Sequence, residues 1–415
     1  MKAEKKSGLV PKLRFPEFRE AGEWEFRNLG RVAENLDNRR VPITSGDRVA
    51  GMIPYYGASG VVDYVKGFIF DEDLLCVSED GANLVARTYP IAFPISGKTW
   101  VNNHAHVLRF QNLFTQKFVE VYLNSIKLDD FITGMAQPKL NKTMLDSIPI
   151  PWPTVPEQQR IADCLASLDE LITLEAQKLD TLKTHKKGLM QQLFPAEGET
   201  LPKLRFPEFR EAGEWEEMQI GDLKPFVTSG SRGWAAYYAN QGSLFVRITN
   251  LTRESIYLDL ADTKFVKLPQ EASEGVRTQL KEHDVLISIT ADIGIIGYVD
   301  ASISSPAYIN QHIALVRFDS SQVCSKFVSY FLASERSQRL FRASTDIGTK
   351  AGMSLIMVQK IQVVLPTLPE QQKIADCLTS LDDLIIAQSQ KLAALKTHKK
   401  GLMQQLFPAL EEVTA

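Results

Sequence analysis

The chain has 415 residues, of which 44% are hydrophobic and 23% are charged, as is ordinary for globular proteins of two to four domains. No stretch approaches the roughly eighteen apolar residues of a transmembrane helix, and the N-terminus lacks the apolar core of a signal peptide. The net charge of −3 argues against a protein that binds phosphates unaided. Its four cysteines show no metal-type spacing, so we expect a cytoplasmic protein without disulfides or a metal site.

Two segments of the chain are repeated, a short motif of fifteen residues and a longer segment. Residues 11–25 read PKLRFPEFREAGEWE, and residues 202–216 repeat these letters without a change. Residues 156–196 return as residues 369–409, and both copies contain THKKGLMQQLFPA. A period near 200 residues is too long for a solenoid unit, so the pattern indicates two fused half-proteins with a constant frame and variable inserts.

These repeats divide the chain into five predicted parts. They are an N-terminal motif with a first insert (1–150), a first helix (151–196), the repeated motif with a second insert (197–365), a second helix (366–409) and a tail (410–415).

The first insert alternates β-branched and aromatic runs with glycine, which predicts short strands, long loops and a helix over 114–127. Residues 26–150 carry 13 basic and 13 acidic side chains, and residues 217–365 carry 15 and 14. If these inserts bind DNA, a partner therefore supplies much of the positive charge.

The second insert resembles the first, with a helix predicted around residues 325–341. VNNHAHVLRF (101–110) aligns with INQHIALVRF (309–318), which indicates one fold with diverged loops. His104 and His312 open matching strands, either as structural histidines or as DNA contacts. The neighbouring amides could pair with adenine edges or could close a turn. By residue type, the candidate DNA contacts are Arg39, Arg40, Tyr55, Tyr56, Asn102, Asn103, His104, Arg232, Trp234, Tyr237, Arg247, Asn250, Asn310, Gln311 and His312.

The long repeat predicts a helix of about 37 residues with a heptad seam. Its apolar positions recur in steps of four and three, with polar seam residues at Glu175, Lys186, Gln388 and Lys399. Thr154 with Glu157, and Thr367 with Glu370, form predicted capping boxes, and each helix ends at Phe-Pro. The predicted helix-interface residues include Ile161, Leu168, Glu175, Leu182, Ile374, Leu381, Gln388 and Leu395.

Chain connectivity predicts that these helices are antiparallel. A compact second insert returns the chain to the point where the first helix ended, so the second helix runs back beside it. The expected architecture is α+β and pseudo-twofold, with two mixed α/β domains joined by an antiparallel coiled coil. Glu175 then faces Gln388, Leu168 faces Leu395, and each fifteen-residue motif lies beside a helix end.

The aromatic residues of the short motif allow two interpretations. Phe15, Phe18 and Trp24, with their copies Phe206, Phe209 and Trp215, either pack against the helix ends or contact a partner bound twice. A plain coiled-coil scaffold is the alternative for the helix pair itself.

Enzymatic motifs are missing. Residues 92–99 (AFPISGKT) fit a phosphate-binding loop only loosely, because the first glycine is absent and a strand pattern follows. No nucleophile elbow, zinc-protease motif or methylation tetrapeptide occurs, which disfavours an independent nuclease or methyltransferase.

Over nearly its full length the chain resembles the specificity subunit of type I restriction–modification systems, which act in phage defence. The resemblance rests on KLRFPEF…EW before each insert, PEQQ(R/K)IADCL at the start of each helix and GLMQQLF at its end. It implies two target-recognition domains, each of which reads half of a bipartite, asymmetric site in double-stranded DNA.

The resemblance also implies two methyltransferase subunits that bind S-adenosylmethionine, and two restriction subunits that use ATP and magnesium. This chain itself is then non-catalytic and binds no cofactor. The family has no sharp motif for base contacts, so no DNA-reading residue is transferred.

Overall fold

The computed structural model describes residues 9–134, 137–269, 273–346 and 352–408. The predicted tail, residues 410–415, lies outside the described residues. The chain forms two compact units, and each combines an insert with half of each long helix. Unit 1 comprises residues 1–176 and 390–415, and unit 2 comprises residues 177–389. In the described part of the chain, no helix is long and apolar enough to cross a membrane.

Among its described residues, the first half of the chain contains ten strands and five α-helices. The strands are β1 Glu25–Asn28, β2 Glu34–Asn35, β3 Ala50–Gly57, β4 Gly60–Val65, β5 Phe70–Asp71, β6 Leu74–Ser78, β7 Ala92–Ile95, β8 Lys98–Val101, β9 Ala105–Arg109 and β10 Pro149–Trp152. The helices are α1 Leu29–Val32, α2 Asn83–Ala86, α3 Leu113–Ser125, α4 Lys142–Ser147 and α5 Val155–Leu193.

The second half has a corresponding set. The strands are β11 Glu216–Gln219, β12 Phe226–Ser229, β13 Tyr238–Ala239, β14 Ser243–Val246, β15 Phe265–Val266, β16 Val285–Ser288, β17 Ile296–Tyr298, β18 Ala307–Ile309, β19 Ile313–Arg317 and β20 Gln362–Leu365. The helices are α6 Ser273–Thr278, α7 Ser325–Ala333, α8 Glu335–Asp346, α9 Leu355–Gln359 and α10 Leu368–Leu406. The prediction of a single helix over 325–341 is wrong in one respect, because Ser334 divides this segment into two helices, α7 and α8.

One sheet has the same topology in both inserts, and a second sheet shares only its parallel pair, which is central in unit 1 and at the edge of the sheet in unit 2. One antiparallel sheet has the order β2-β9-β6-β7 in unit 1 and β12-β19-β16-β17 in unit 2. A second sheet, β4-β3-β8-β5 or β13-β15-β14-β18, contains one parallel pair, β3 with β8 or β14 with β18. A short ladder, β1 with β10 or β11 with β20, joins the two ends of each insert. The prediction of one fold with diverged loops agrees with the first sheet, the parallel pair and the short ladder, but the edge strands of the second sheet differ.

The two long helices are antiparallel within each unit. In unit 1, Asp169 of α5 bonds Lys399 of α10, and Glu175 bonds the earlier residue Lys391 at 2.5 Å. In unit 2, the end of α5 at Leu193 shares an apolar core with Ile374 and Leu378 from the start of α10. The predicted seam positions lie on the buried face. Ile161, Glu175, Ile374 and Gln388 are buried, and Leu168, Leu182, Leu381 and Leu395 are half-buried.

The short motif is held to the start of a long helix by a buried ion pair. In unit 1, Arg14 donates to both oxygens of Glu157 at 2.7 and 2.8 Å, and both side chains are at most 6% exposed. In unit 2, Arg205 donates to Glu370 at 2.8 and 2.7 Å. The predicted capping boxes are therefore corrected, because both carboxylate oxygens of each glutamate accept hydrogen bonds from the motif's arginine.

Each motif also reaches the end of the other long helix. The backbone N–H of Leu13 donates to the carbonyl of Gln405 at 2.9 Å, and that of Leu204 donates to Gln192 at 2.9 Å. The predicted position beside a helix end is confirmed within each unit.

The motif tryptophans are structural. Trp24 packs edge-on against Phe118 in unit 1, and Trp215 packs against Phe327 in unit 2. Phe407 and Phe194, from the helix ends, contact the same two phenylalanines. The packing interpretation therefore holds for Trp24 and Trp215, which are buried. Phe15, Phe18, Phe206 and Phe209 are only half-buried.

Removing the anion of the motif ion pair should destabilise unit 1 strongly. Glu157→Ala leaves Arg14 buried without a counter-charge, so the free energy of unfolding should fall by about 3–5 kcal/mol. The double variant Arg14→Met/Glu157→Leu removes both charges and should lose much less. Urea unfolding followed by circular dichroism measures both, and equal losses would contradict this account.

Candidate nucleic-acid interface

The same polar turn joins two strands in each insert. In unit 1, Asn102, Asn103 and His104 connect β8 to β9, and the Oδ1 of Asn102 accepts from the backbone N–H of His104 at 2.8 Å. Asn102 is 7% exposed, so its amide stabilises the turn from inside. The adjacent Asn103 and His104 face solvent.

Unit 2 repeats this turn with less exposed residues. The Oδ1 of Asn310 accepts from the backbone N–H of His312 at 3.1 Å, and Asn310 is 8% exposed. Gln311 and His312 are half-buried. We name the two segments, residues 102–104 and 310–312, the histidine turns.

Each histidine is held by a side chain that follows the neighbouring strand. His104 Nδ1 lies 2.8 Å from an Asp80 carboxylate oxygen, and His312 Nδ1 lies 2.5 Å from the hydroxyl of Thr290. The Gln311 amide lies 2.9 Å from Nε2 of His312.

A polar cleft lies beside the histidine turn of unit 2. It is lined by Ser229, Gly230, Ser231, Arg232, Thr290, Gln311 and His312. Gly230 allows the end of β12 to approach the turn, because a Cβ there would lie 2.3 Å from the carbonyl of Asn310. Arg232 is exposed at the cleft. The structure thus brings three predicted residues together: Arg232, Gln311 and His312.

Several predicted DNA contacts are corrected, because they are buried and serve the core or the turns. Tyr55 is 1% exposed and its hydroxyl bonds the backbone of Ile43. Trp234 is 4% exposed and stacks on Phe245. Asn250 is 2% exposed and donates to two backbone carbonyls. Asn102 and Asn310 close the histidine turns, as described above.

Three of the predicted arginines are held by carboxylates. Arg40 bonds Glu79 at 2.6 Å and is 12% exposed. Arg247 bonds Asp262 at 2.8 Å and is 18% exposed, and this hydrogen bond lowers the pKa of the Asp262 carboxyl. Arg39, which is more exposed, contacts Glu72 at 3.2 Å. Arg40 and Arg247 are therefore structural.

The remaining two candidates are aromatic, and only Tyr56 adjoins a histidine turn, where its backbone carbonyl accepts from the N–H of Asn102 at 3.0 Å. Tyr56 is half-buried, stacks on Phe93 and has a pKa that burial raises. Tyr237 is 38% exposed at the end of a short 3-10 helix, Trp234–Tyr237.

Asp37, Glu79 and His106 form the one group among the described residues with metal-ligand geometry. Arg40 occupies the same place, 2.6 Å from Glu79 and 3.5 Å from Asp37, and Lys139 lies 3.3 Å from Glu79. Burial would raise the pKa of Asp37, but hydrogen bonds from His106 and Val107 with the Arg40 charge lower it below its usual range. The carboxylates are thus neutralised by side chains, and this group is a structural ion cluster.

Sequence reasoning missed the partners of the histidines and of the seam lysines. Lys186 donates to Asp382 at 2.6 Å, and the equivalent Lys399 bonds Asp169. Both aspartates follow a seam leucine in the repeated motif SLD, so the duplicated pattern of lysine and aspartate was visible. Asp80 and Thr290 gave no signal, because they differ between the inserts.

Comparison with known proteins now defines the class. A family model described as the type I restriction modification DNA specificity domain matches residues 21–184 and again residues 212–397. The chain belongs to this family of DNA specificity subunits, and it contains two copies of the family's domain.

Individual relatives agree with the family assignment. The chain is 27% identical to a putative type I restriction enzyme specificity subunit of Haemophilus influenzae, over 88% of this chain and 89% of that protein. It is 24% identical to the MjaVIII specificity subunit of Methanocaldococcus jannaschii, over 95% and 93%.

Solved structures agree on the fold. The type I S subunit of M. genitalium aligns with a TM-score of 0.64 at 15% identity, over 96% of this chain and 99% of that one. A chain from a structural study of type I complex assembly and conformational transition aligns at 0.54 and 16%, over 92% and 97%.

The histidine turns provide a test of which amides are structural. Asn102→Ala and Asn310→Ala each remove a buried acceptor, so the free energy of unfolding should fall by about 1–2 kcal/mol. Asn103→Ala and Gln311→Ala, one position along, should change it by less than about 0.5 kcal/mol. Thermal unfolding of the four variants is the measurement. Asparagine variants as stable as the parent chain would show that the turn does not need them.

Proposed function

We propose that each unit of this chain reads one half of a bipartite, asymmetric site in double-stranded DNA. The observation that carries the proposal is that two inserts with one sheet topology in common each present the same histidine turn with a different residue beside the histidine, Asn103 in unit 1 and Gln311 in unit 2. A constant scaffold with variable exposed groups suits two readers of different sequences. The candidates at the histidine turns and the adjoining cleft are Asn103 and His104 in unit 1, and Arg232, Gln311 and His312 in unit 2.

We further propose that the frame carries two methyltransferase subunits and, in a complete complex, two restriction subunits. The duplicated motifs have the same sequence in both units, and their exposed residues and the half-buried Phe18 and Phe209 form equivalent surfaces. Two equivalent surfaces suit one partner bound twice. The balanced charge of the inserts supports a division of labour in which partners neutralise most phosphates.

In this proposal the chain recognises DNA and is not itself catalytic. The complex acts in the cytoplasm. S-adenosylmethionine belongs to the methyltransferase partner, and ATP with magnesium belongs to the restriction partner. The free thiols Cys76, Cys164, Cys324 and Cys377 suit a reducing compartment.

Exchange of one insert tests the modular reading of DNA. Residues 26–150 replaced by the insert of a relative with another target should change one half-site and leave the other intact. Mapping of methylated adenines across the genome, with and without the exchanged gene, gives both half-sites at once. A change in both halves would contradict two independent readers. A chain that confers no sequence preference would favour the plain scaffold.

Two side chains of the unit 2 cleft should determine bases in one half-site only. Arg232→Ala and Gln311→Ala should each relax the preference at a base pair, with a loss of about 1–3 kcal/mol of discrimination. Arg339→Ala is the matched control, because Arg339 is a 68% exposed arginine of the same unit that contacts Glu335. Methylation of a library of randomised sites measures the preference. Unchanged preferences in both cleft variants would exclude these residues as readers.

A further inference from the structure

Unit 2 contains a cavity of about 410 Å³ that the reading of DNA does not explain. One wall comes from the end of α5, with Lys183, Lys187 and Met190. The opposite wall comes from residues 252–255 and from the junction of α7 and α8 at Ser334. Its volume lies in the range of sites that hold small organic molecules.

The rim of the cavity is electropositive. Five lining side chains are cationic and two are acidic, although the whole chain has a net charge of −3. The cations are Lys183, Lys186, Lys187, Arg253 and Arg342, and the acids are Glu254 and Glu335.

Two of these cations form ion pairs with aspartates: Lys186 with Asp382, and Arg253 with Asp292. Lys183 and Lys187, by contrast, form no ion pair with any residue that the structure describes, and both are exposed. Both ammonium groups can meet an anion, and the charge of Lys187 also acts on the nearby Glu335 carboxylate.

The interior of the cavity is apolar, with one polar group that lacks a partner. Ile295, Ile296 and Ala333 line it beside Met190. Ser334 also lines it, is 5% exposed, and its hydroxyl has no hydrogen-bond partner among the described residues. That hydroxyl is itself almost inaccessible from the cavity, so the apolar side chains form the interior surface.

One wall of this cavity is duplicated in the chain and the other is not. Lys183, Lys187 and Met190 have identical copies in Lys396, Lys400 and Met403. The other wall has no copy, because α3 of unit 1 is followed by a 3-10 helix, Asp129–Phe131, where α7 is followed by the longer helix α8. A partner that recognises the duplicated frame binds twice, whereas a ligand of this cavity binds once.

We propose that this cavity binds one organic phosphate per chain, a small molecule of the nucleoside monophosphate class. The phosphate lies at Lys183 and Lys187, and the apolar body lies over Ile295, Ile296 and Met190. A phosphate of the DNA backbone would use the lysines but not the apolar interior, so the cavity favours the free ligand. This site is separate from the proposed reading of DNA and does not depend on it.

Calorimetric titration of the full chain tests the site with AMP, CMP, adenosine and inorganic phosphate as probes. We expect at least one nucleotide to bind once per chain, with a dissociation constant between about 10 µM and 1 mM. Adenosine and phosphate alone should bind at least about tenfold more weakly, because each lacks one half of the contact.

Three variants make the test decisive. Lys183→Ala/Lys187→Ala should weaken binding at least about tenfold, while the matched pair Lys396→Ala/Lys400→Ala should leave it unchanged. Glu254→Gln removes an acid from the rim and should tighten binding, a gain that misfolding cannot imitate.

Four outcomes would overturn the proposal. They are no binding of either nucleotide, two sites per chain, equal losses in both lysine pairs, and a loss of duplex DNA binding in Lys183→Ala/Lys187→Ala without any nucleotide binding.

Discussion

The buried ion pair between the short motif and the first turn of a long helix is the contact on which each unit depends. Arg14 with Glu157, and Arg205 with Glu370, bring together a segment before an insert and a helix after it. The arginine also donates to a backbone carbonyl of its own motif, that of Gly22 or Ala212. One side chain therefore fixes the conformation of the motif and its place on the helix.

The cost of burying these charges explains the hydrogen bonds around the glutamate in unit 1, whereas in unit 2 the equivalent indole N–H of Trp215 is buried without a partner among the described residues. A buried carboxylate is stable only when its oxygens are all bonded, because a missing bond leaves most of the desolvation penalty. Glu157 receives Arg14 and the indole N–H of Trp24 at 3.2 Å. The neighbouring Gln158 bonds Thr115 and the carbonyl of Pro153. In unit 2, Gln371 bonds the backbone of Cys324 and the carbonyl of Pro366. The long helix thus contacts the insert partly through the backbone of the insert helix. A backbone contact is kept when the side chains of that helix change.

The sequence predicted the frame well and the exposed site poorly, for one physical reason. Frame residues leave periodic signals, since a helix seam repeats every 3.5 residues and the chain contains the frame twice. Ile161, Glu175 and Ile374 were therefore placed correctly on the buried face. Residue type alone could not distinguish Arg40, which forms an ion pair with Glu79, from Arg232, which is exposed at a cleft. Tyr55 and Trp234 failed in the same way, because an aromatic ring serves a core as readily as a groove.

The two inserts show how far a reader can diverge while it remains attached to the same frame. Phe118 and Phe327 keep the same aromatic contacts with the helix ends, but the next turn of each insert helix differs. Tyr330 donates to Asp382 at 2.6 Å, whereas the first insert has Val121 at the corresponding place. The equivalent Asp169 of unit 1 has a side chain that is 39% exposed, whereas that of Asp382 is 6% exposed. Asp169 still forms its ion pair with Lys399. An aspartate that already has a lysine partner tolerates either neighbour, since its charge stays compensated. The ionic contacts of the frame therefore remain satisfied when the insert changes, and this allows each reader to vary without unfolding its unit.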